Sequence, residues 1–296
     1  MAHNRLLDLI SFSEDNRDRA NVRLGLVAPG QRSGNLIPTS NGRMGSFNWG
    51  FVNPDRMVDF LDAAAAAADA EYRVSLDSRC DRAPDGTPMM VFFDIDLLDK
   101  RGAVPTTDEL LLVLFSAFLE GRHLTREEKY SAYHLQCTVT TNRSKQGSWH
   151  IYFHNLRTYD LNHLRAFATD FAQDVNPALV PKNAKLDSGP YAMGVLRWPY
   201  TYAFMGDAGV DDRHAIEGVY QPTNVTNAKD KWGVKRFDPW TKQAQQHSPL
   251  GGVFSSASNI DFLPGGLATV WAALLPWRRI SQSVLVAVIV VSPVRG

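Results

Sequence analysis

The sequence predicts an α+β fold in which a mostly antiparallel sheet is flanked by helices. Two observations lead to this class. Segments near residues 89–97 and 148–154 alternate side chains with the period of a β-strand. Segments near residues 106–120 and 160–174 repeat apolar side chains with the period of a helix. Strands and helices that follow one another in this way, together with hairpins, are typical of an α+β domain.

The helices are predicted from apolar periodicity and from capping residues. Four are expected in the first 206 residues, over 5–13, 56–71, 106–120 and 160–174. Asn53-Pro54-Asp55 is expected to cap the second helix, and Thr106 with Glu109 three residues later is typical of the start of the third. The fourth helix places Leu164 and Phe171 on one side, which is therefore expected to face the core.

The strands are predicted from alternation and turn chemistry, over residues 72–76, 89–97, 130–141 and 148–154. Asp85-Gly86 suits a tight turn, so residues 72–97 are expected to form a hairpin. Two later apolar segments predict a helix over 267–275 and a buried strand over 284–291. We divide the chain into an N-terminal helix and loop region (1–55), a core (56–206) and an accessory C-terminal region (207–296), which is either a subdomain or a tail packed on the core.

The composition is ordinary for a globular protein and carries no net charge. The 296 residues include 31 basic and 31 acidic ones, so any nucleic-acid-binding surface must concentrate its positive charge locally. Two cysteines, Cys80 and Cys137, are too few for a disulfide scaffold or a structural zinc site. Charges interrupt the N-terminal apolar residues, unlike in a signal peptide. We therefore expect an intracellular protein of the cytoplasm or nucleus, neither secreted nor bound to a membrane.

The most informative segment, residues 91–98, reads as an apolar strand that carries two acids. Asp94 and Asp96 point to the same face, while Phe93 and Ile95 point to the other. Two carboxylates this close repel each other by roughly 4 kcal/mol at about 4 Å and an effective dielectric near 20. A divalent cation removes this repulsion, and Mg²⁺ or Mn²⁺ prefers oxygen ligands. The alternative is a strand end that leaves the core with both aspartates solvated.

Two later segments add polar groups. Residues 147–154 read as a second strand, with His150 and His154 on one face and apolar side chains on the other. Asp187 stands just before a turn, and Arg197 follows it closely. The two histidines alone would also suit zinc, but no further His or Cys is suitably spaced nearby.

Taken in order, these motifs resemble those of one family. Phe-Asp-Ile-Asp (93–96), Ser-Trp-His (148–150), Leu-Asp (186–187) and Leu-Arg-Trp-Pro (196–199) resemble the archaeo-eukaryotic primase superfamily. They are most similar to its branch of primase-polymerases and of primases from herpesviruses and large DNA viruses. The resemblance covers roughly residues 70–205, and it implies a catalytic core with an RNA-recognition-motif-like sheet.

The resemblance also implies a function and roles for residues. The function is that of a DNA-dependent nucleotidyltransferase, a primase or primase-polymerase that makes or extends primers in DNA replication. Three acidic residues would hold two Mg²⁺ or Mn²⁺ ions: Asp94, Asp96 and Asp187. Three further residues would bind the triphosphate: Ser148, His150 and Arg197. Implied partners are nucleoside triphosphates, a single-stranded DNA template, a replicative helicase and a zinc-bearing primase domain.

The segment after Arg197 departs from the family. Many members carry a lysine there that contacts the triphosphate, whereas this chain has Tyr200-Thr201-Tyr202. Arg143 and Lys145 precede His150 and would supply the missing charge; the alternative is that they are solvated turn residues. Two rival functions stay open for these reasons. One is a primase-like nucleic-acid-binding protein with a decayed site, and the other is a metal-dependent glycosyltransferase that uses its Asp-x-Asp motif.

A basic and aromatic segment lies further along the chain. Residues 229–242 carry five basic residues against two acidic ones, interleaved with tryptophan and phenylalanine. Positive charge beside aromatic faces suits a single-stranded template. The candidate nucleic-acid-binding residues are Lys231, Trp232, Lys235 and Arg236. The alternative is a solvated loop whose aromatic side chains dock on the core.

Overall fold

A computed structural model of the chain describes residues 2–11, 20, 22–30, 48–53, 56–79, 89–121, 135–142, 147–158, 161–187, 189–193, 195–202, 211–224, 232–237, 254–255 and 261–262. The helices are α1 (Ala2–Asp8), α2 (Met57–Asp69), α3 (Thr107–Glu120), α4 (Leu161–Leu179) and α5 (Gly189–Met193). The strands are β1 (Val22–Val27), β2 (Asn48–Gly50), β3 (Arg73–Arg79), β4 (Met89–Leu97), β5 (Cys137–Asn142), β6 (Ser148–Thr158), β7 (Ala184–Asp187), β8 (Val195–Arg197), β9 (His214–Asn224), β10 (Trp232–Phe237), β11 (Phe254–Ser255) and β12 (Asp261–Phe262). The predicted α+β class, with mostly antiparallel sheets and flanking helices, is confirmed.

The larger sheet contains eight strands. Six of them lie in the order β10-β9-β5-β6-β4-β7, and every neighbouring pair is antiparallel. The short hairpin of β11 and β12 pairs with the C-terminal end of β6. Along the chain, β4, α3, β5, β6, α4 and β7 form a β-α-β-β-α-β unit whose strands are arranged fourth, first, third, second. Strands β9 and β10 extend this unit, so residues 214–224 belong to the same sheet as β4.

Helices α3 and α4 pack against one face of the larger sheet. Phe93 of β4, Phe118 of α3 and Phe171 of α4 are fully buried there. The ring of Phe171 stacks on both others, with centroids 4.9 Å from Phe93 and 4.5 Å from Phe118. Thr106 and Glu109 form the expected capping box at the start of α3. The apolar face of β4 is thereby sealed, and its polar side chains lie on the opposite face.

The smaller sheet has four strands in the order β2-β1-β3-β8, and a separate apolar core with α1 and α2. The predicted hairpin over residues 72–97 is wrong, because β3 belongs to this sheet and β4 to the larger one. The reason is burial: Val74 and Leu76 of β3 pack into the same core as Phe60 of α2, whereas Phe93 packs with α3 and α4. Apolar faces that are covered by different helices keep the two strands apart.

Several helix ends differ from the predicted ones. Helix α1 ends at Asp8, and α4 continues to Leu179 with Pro177 in its last turn. The N-cap residue of α2 is Arg56, and within the described residues no side chain caps it. The Asn53 carbonyl accepts from the Arg56 amide at 2.8 Å, while Pro54 and Asp55 of the predicted cap lie outside the described residues.

Two predicted elements and one of the two cysteines lie outside the described residues. The helix predicted over 267–275 and the strand predicted over 284–291 lie outside the described residues, as does Cys80. Cys137 is a buried free thiol in β5. Of the helices that the structure describes, none combines the length and the apolar character needed to span a bilayer.

Candidate active site

Six polar side chains share one face of three neighbouring strands, β7, β4 and β6. The first row across the sheet contains Asp187, Asp94 and His150, and the second contains Lys185, Asp96 and Ser148. Register partners in antiparallel strands point to the same face, so both rows lie on the side of β4 away from the phenylalanine core. One carboxylate oxygen from each of Asp94, Asp96 and Asp187 (the acid cluster) lies within 4.8 Å of the others. The convergence expected from the sequence is confirmed, and the acid cluster could hold a metal ion.

The position of Asp187 is set by contacts at both ends of β7. Before the strand, Asn183 adopts a left-handed φ of 60°. Its side-chain amide donates to two carbonyl groups in the loop after β4, at 2.7 and 2.9 Å. After the strand, the hydroxyl of Tyr191 donates to the carbonyl of Phe92, and the two rings stack with centroids 4.9 Å apart. Both sets of contacts hold β7 beside β4.

A glycine sets the register of β6 against β4. Gly147 has a φ of 102°, in the region that favours glycine. Its carbonyl accepts from the Leu97 amide at 2.9 Å, and a Cβ atom at this position would lie 2.2 Å from the Leu97 side chain. The close approach therefore requires glycine, and it keeps Ser148 opposite Asp96.

Asp94 is a carboxylate whose charged form is disfavoured by its surroundings. Its side chain is 19% exposed, and its Oδ1 atom is buried with no hydrogen-bond partner among the described residues. Burial, followed by repulsion from Asp96 and Asp187, raises the pKa of Asp94 to about 8. Nearby Arg197 acts in the opposite direction but is the smaller influence. A cation in the acid cluster would therefore stabilise Asp94 directly, since it would supply both a ligand for Oδ1 and the missing positive charge.

His150 is held by two neighbours that orient its ring. Its ring stacks on that of His214, with centroids 3.9 Å apart and 23° between the planes. Its Nδ1 lies 3.3 Å from the Tyr152 hydroxyl, which donates its proton to the Arg197 carbonyl at 3.1 Å. Its Nε2 lies 3.7 Å from Asp94 Oδ1.

The ionisation of the two histidines follows from their burial. Burial, with His214 and Arg197 nearby, holds the pKa of His150 well below its usual range. Burial likewise lowers the pKa of His214 to about 3. Both rings are therefore neutral near neutral pH. A hydrogen bond from His150 to a phosphate, as the resemblance implies, requires the single proton of the neutral ring to be on the nitrogen that faces the phosphate.

Arg197 enters the site from β8 of the smaller sheet. Its Nη2 atom donates to the carbonyl groups of Thr201 (2.8 Å) and Asp212 (2.6 Å). Its Nε atom is buried and has no hydrogen-bond partner among the described residues. Across the smaller sheet it is in register with Asp77, whose carboxylate is buried and pairs with Arg23. One edge of the guanidinium is thus fixed by the fold, while Nε is left for another acceptor.

Two residues of this neighbourhood were not anticipated from the sequence. His214 begins β9, a strand that the sequence did not predict, and nothing in the sequence indicated its contact with His150. Lys185 is exposed and stands opposite Asp96, and within the described part of the chain it has no ion-pair partner. Its position two residues before Asp187 on a strand was the available signal, since it places the ammonium group on the acidic face.

The remaining candidate residues lie elsewhere or are not described. Arg143, Lys145 and Lys231 lie outside the described residues. Trp232 docks on α3, where its indole donates to Glu120 at 3.0 Å. Lys235 and Arg236 are exposed on β10, four strands from β4, which corresponds to about 19 Å. Arg236 donates to the Glu217 carbonyl at 2.5 Å. A role for this strand in binding nucleic acid stays a prediction.

No protein-family model matches the sequence, and no curated protein matches it. The chemistry of the site therefore rests on its own residues. Three carboxylates provide oxygen ligands for a hard divalent cation, while Lys185 and Arg197 provide positive charge beside them. Carboxylates with adjacent cationic donors suit a substrate whose phosphate groups are bound partly through a metal ion.

Proposed function

We propose that this chain is the catalytic part of a DNA primase or primase-polymerase, which extends a primer from nucleoside triphosphates on a single-stranded DNA template. The observation that carries the proposal is the pair of rows on β7, β4 and β6. They bring the Asp-x-Asp pair, the Ser-x-His pair and the third acid to one face, in neighbouring register positions. The same motifs, in the same order along the chain, carry the resemblance to the archaeo-eukaryotic primase superfamily.

The connectivity of the larger sheet supports this proposal. The unit from β4 to β7 has the β-α-β-β-α-β order of a ferredoxin-like arrangement, with its first and third strands in the centre. Asp94 and Asp96 lie on the first of these strands and His150 on the third, so the two central strands carry both motifs. This is the arrangement expected of an RNA-recognition-motif-like catalytic core.

The acid cluster fits Mg²⁺ or Mn²⁺ rather than a soft metal. Its ligands are carboxylate oxygens, and among the described residues the buried Oδ1 atom of Asp94 has no hydrogen-bond donor that would replace a cation. When bound, such ions lower the pKa of an attacking hydroxyl and neutralise charge on the transferred phosphate. Asp94, Asp96 and Asp187 would hold them, with Asp94 losing its proton as the cation binds.

The cationic residues around the acid cluster would bind the triphosphate. Lys185 lies on the same face as the carboxylates and has no other ion pair in the described residues. Its ammonium group can therefore contact phosphate oxygens without breaking an existing interaction. Arg197 would approach through its unpartnered Nε atom. Together they would orient the triphosphate so that its α-phosphate faces the primer hydroxyl.

Incorporation of a labelled nucleotide on a primed single-stranded template tests the proposal directly. The wild-type protein is expected to extend the primer only with Mg²⁺ or Mn²⁺, while Asp94→Asn and Asp96→Asn are expected to fall to background. Asp170→Asn is the matched control, because Asp170 is an exposed carboxylate on α4. Extension by either acid-cluster variant at the wild-type rate would reject the metal-ligand roles.

The rival functions predict different outcomes for the same protein. A glycosyltransferase would show a thermal shift with a nucleotide sugar that no nucleoside triphosphate reproduces. A noncatalytic primase-like protein would bind single-stranded DNA without incorporating nucleotide under any metal condition. Partnership with a replicative helicase or a zinc-bearing primase domain is proposed from the resemblance alone.

A further inference from the structure

A cavity of about 380 Å³ lies beside the candidate active site, among residues that the proposed chemistry does not use. Its walls include three tyrosines and two arginines: Tyr72, Tyr200, Tyr202, Arg73 and Arg213. The guanidinium carbon of Arg73 lies 4.2 Å from the ring centroid of Tyr202, and that of Arg213 lies 5.0 Å from it. The cavity is therefore lined by flat groups, both aromatic and cationic, that suit a flat conjugated ligand.

The positive charge of the cavity is already balanced. Arg213 donates to both carboxylate oxygens of Asp211, at 2.8 and 2.7 Å. Arg73 lies 3.7 Å from the carboxylate of Asp212. A phosphate group would have to displace the Asp211 carboxylate before it could bind the Arg213 guanidinium. An uncharged ring carries no charge that would compete with these ion pairs.

The walls of the cavity are tied to the candidate active site. The Oδ1 atom of Asp212 lies 3.7 Å from Arg73 Nη2 and 3.6 Å from Arg197 Nη2, so one carboxylate links the two places. Tyr200 has a left-handed φ of 62°, and its amide donates to the His214 carbonyl at 2.6 Å. His214 in turn stacks on His150. Asp212 and His214 thus connect the wall of the cavity to Arg197 and His150 of the candidate active site.

We propose that this cavity takes up one unpaired nucleobase of the single-stranded template. The inference rests on the proposed function and extends it, because it assigns a template contact to Tyr200-Thr201-Tyr202, the segment that replaces the expected lysine. The volume is at the lower end of the range for ligand pockets and suits a single ring system rather than a whole nucleotide triphosphate. Stacking on tyrosine and arginine accepts every base, as a template site must.

Binding of a labelled single-stranded oligothymidylate, followed by fluorescence anisotropy, tests the inference. Tyr202→Leu removes the ring and is expected to weaken binding about 5- to 100-fold, the range seen when one stacked base is lost. Tyr202→Phe keeps the ring and is the matched control, expected to bind like the wild type. The salt dependence of binding should be the same in all three proteins, because no phosphate contact is removed. Equal affinity of Tyr202→Leu and wild type, or a salt slope reduced by about one, would overturn the inference.

A second measurement does not depend on the variant being folded. Wild-type protein should bind an oligonucleotide of the same length with abasic positions less tightly than oligothymidylate, by a similar factor. Equal affinity for the two would also count against a base-binding cavity.

The two proposals can fail separately. A wild-type protein that incorporates nucleotide but is indifferent to Tyr202→Leu and to abasic DNA would refute the cavity assignment alone. A wild-type protein that incorporates no nucleotide would refute the proposed function, whatever the anisotropy shows.

Discussion

Replacing Asp94 with asparagine should stabilise the metal-free protein, and increasingly so as the pH rises. The side-chain amide has nearly the shape of a protonated carboxyl group and cannot ionise. The folded protein raises the pKa of Asp94 from 3.8 to about 8, mainly through burial and then through Asp96 and Asp187. The folded state therefore favours the protonated group. Its contribution to stability is complete below about pH 4 and is lost as the pH rises through about 8.

The size of the effect follows from this pKa. Between the unfolded and folded values, each pH unit removes about 1.4 kcal/mol of stability from a protein with a titrating Asp94. The free energy of unfolding of Asp94→Asn minus that of the wild type should therefore increase by about 3 kcal/mol between about pH 5 and about pH 7. Other groups, including His150 and His214, titrate in both proteins, so their contributions largely cancel in this difference.

Urea unfolding in the presence of a chelator, at several pH values, measures the difference. Asp170→Asn should follow the wild type at every pH, because Asp170 is an exposed carboxylate on α4. Adding Mn²⁺ at a hundred times its dissociation constant should stabilise the wild type by about 2.7 kcal/mol and Asp94→Asn by much less. A difference between Asp94→Asn and the wild type that does not change with pH would refute the reasoning from burial and repulsion.

Three further substitutions test other parts of the structure. Lys185→Gln should raise the KM for a nucleoside triphosphate about tenfold or more, since a charge-assisted hydrogen bond is lost, without weakening Mn²⁺ binding; steady-state incorporation and Mn²⁺ titration measure the two. Thr106→Ala removes the capping box of α3 and should lower the free energy of unfolding by about 1 kcal/mol in urea. Phe171→Ala removes the ring that stacks on Phe93 and Phe118 and should lower it by about 3–5 kcal/mol.

Controls separate these effects from general damage. Lys100 is an exposed lysine in the turn after β4, and Lys100→Gln should leave the KM unchanged. If Lys185 only offsets the acid cluster, Lys185→Gln will tighten Mn²⁺ binding and leave the KM at its wild-type value. A Thr106→Ser variant should retain most of the capping stability. A small loss for Phe171→Ala would show that the core around α4 closes over the missing ring.

The residues of the acid cluster could be predicted, because their positions depend on local rules. Alternation alone assigns Asp94 and Asp96 to one face and Phe93 to the other. The proximity of Asp187 to this pair is a tertiary property. It depends on Asn183 and Tyr191, which anchor β7 to the residues around β4, and no pattern in the sequence reveals those contacts.

The pairing of strands was harder to predict than the strands themselves. The segments at 72–76 and 89–97 were both correctly assigned to strands, but their pairing was wrong because each packs into a different core. Sequence neighbours usually pair, and only the distribution of helices over the two sheets decides otherwise here. The contact between His214 and His150 also depends on strand pairing, because β5 pairs with both β6 and β9 and so brings the two histidines together. The sequence therefore did not predict it.

In β7, β4 and β6 the same strand register determines both the positions of the polar side chains and the burial of the apolar ones. Side chains alternate along each strand, so the polar residues of the two rows lie on one face of the sheet and the apolar core residues lie on the other. Loss or gain of a single residue inside β4 would exchange the two faces, and it would place charged side chains in the phenylalanine core and aromatic rings beside the acid cluster. In natural relatives, insertions and deletions should therefore be confined to the loops around β7, β4 and β6.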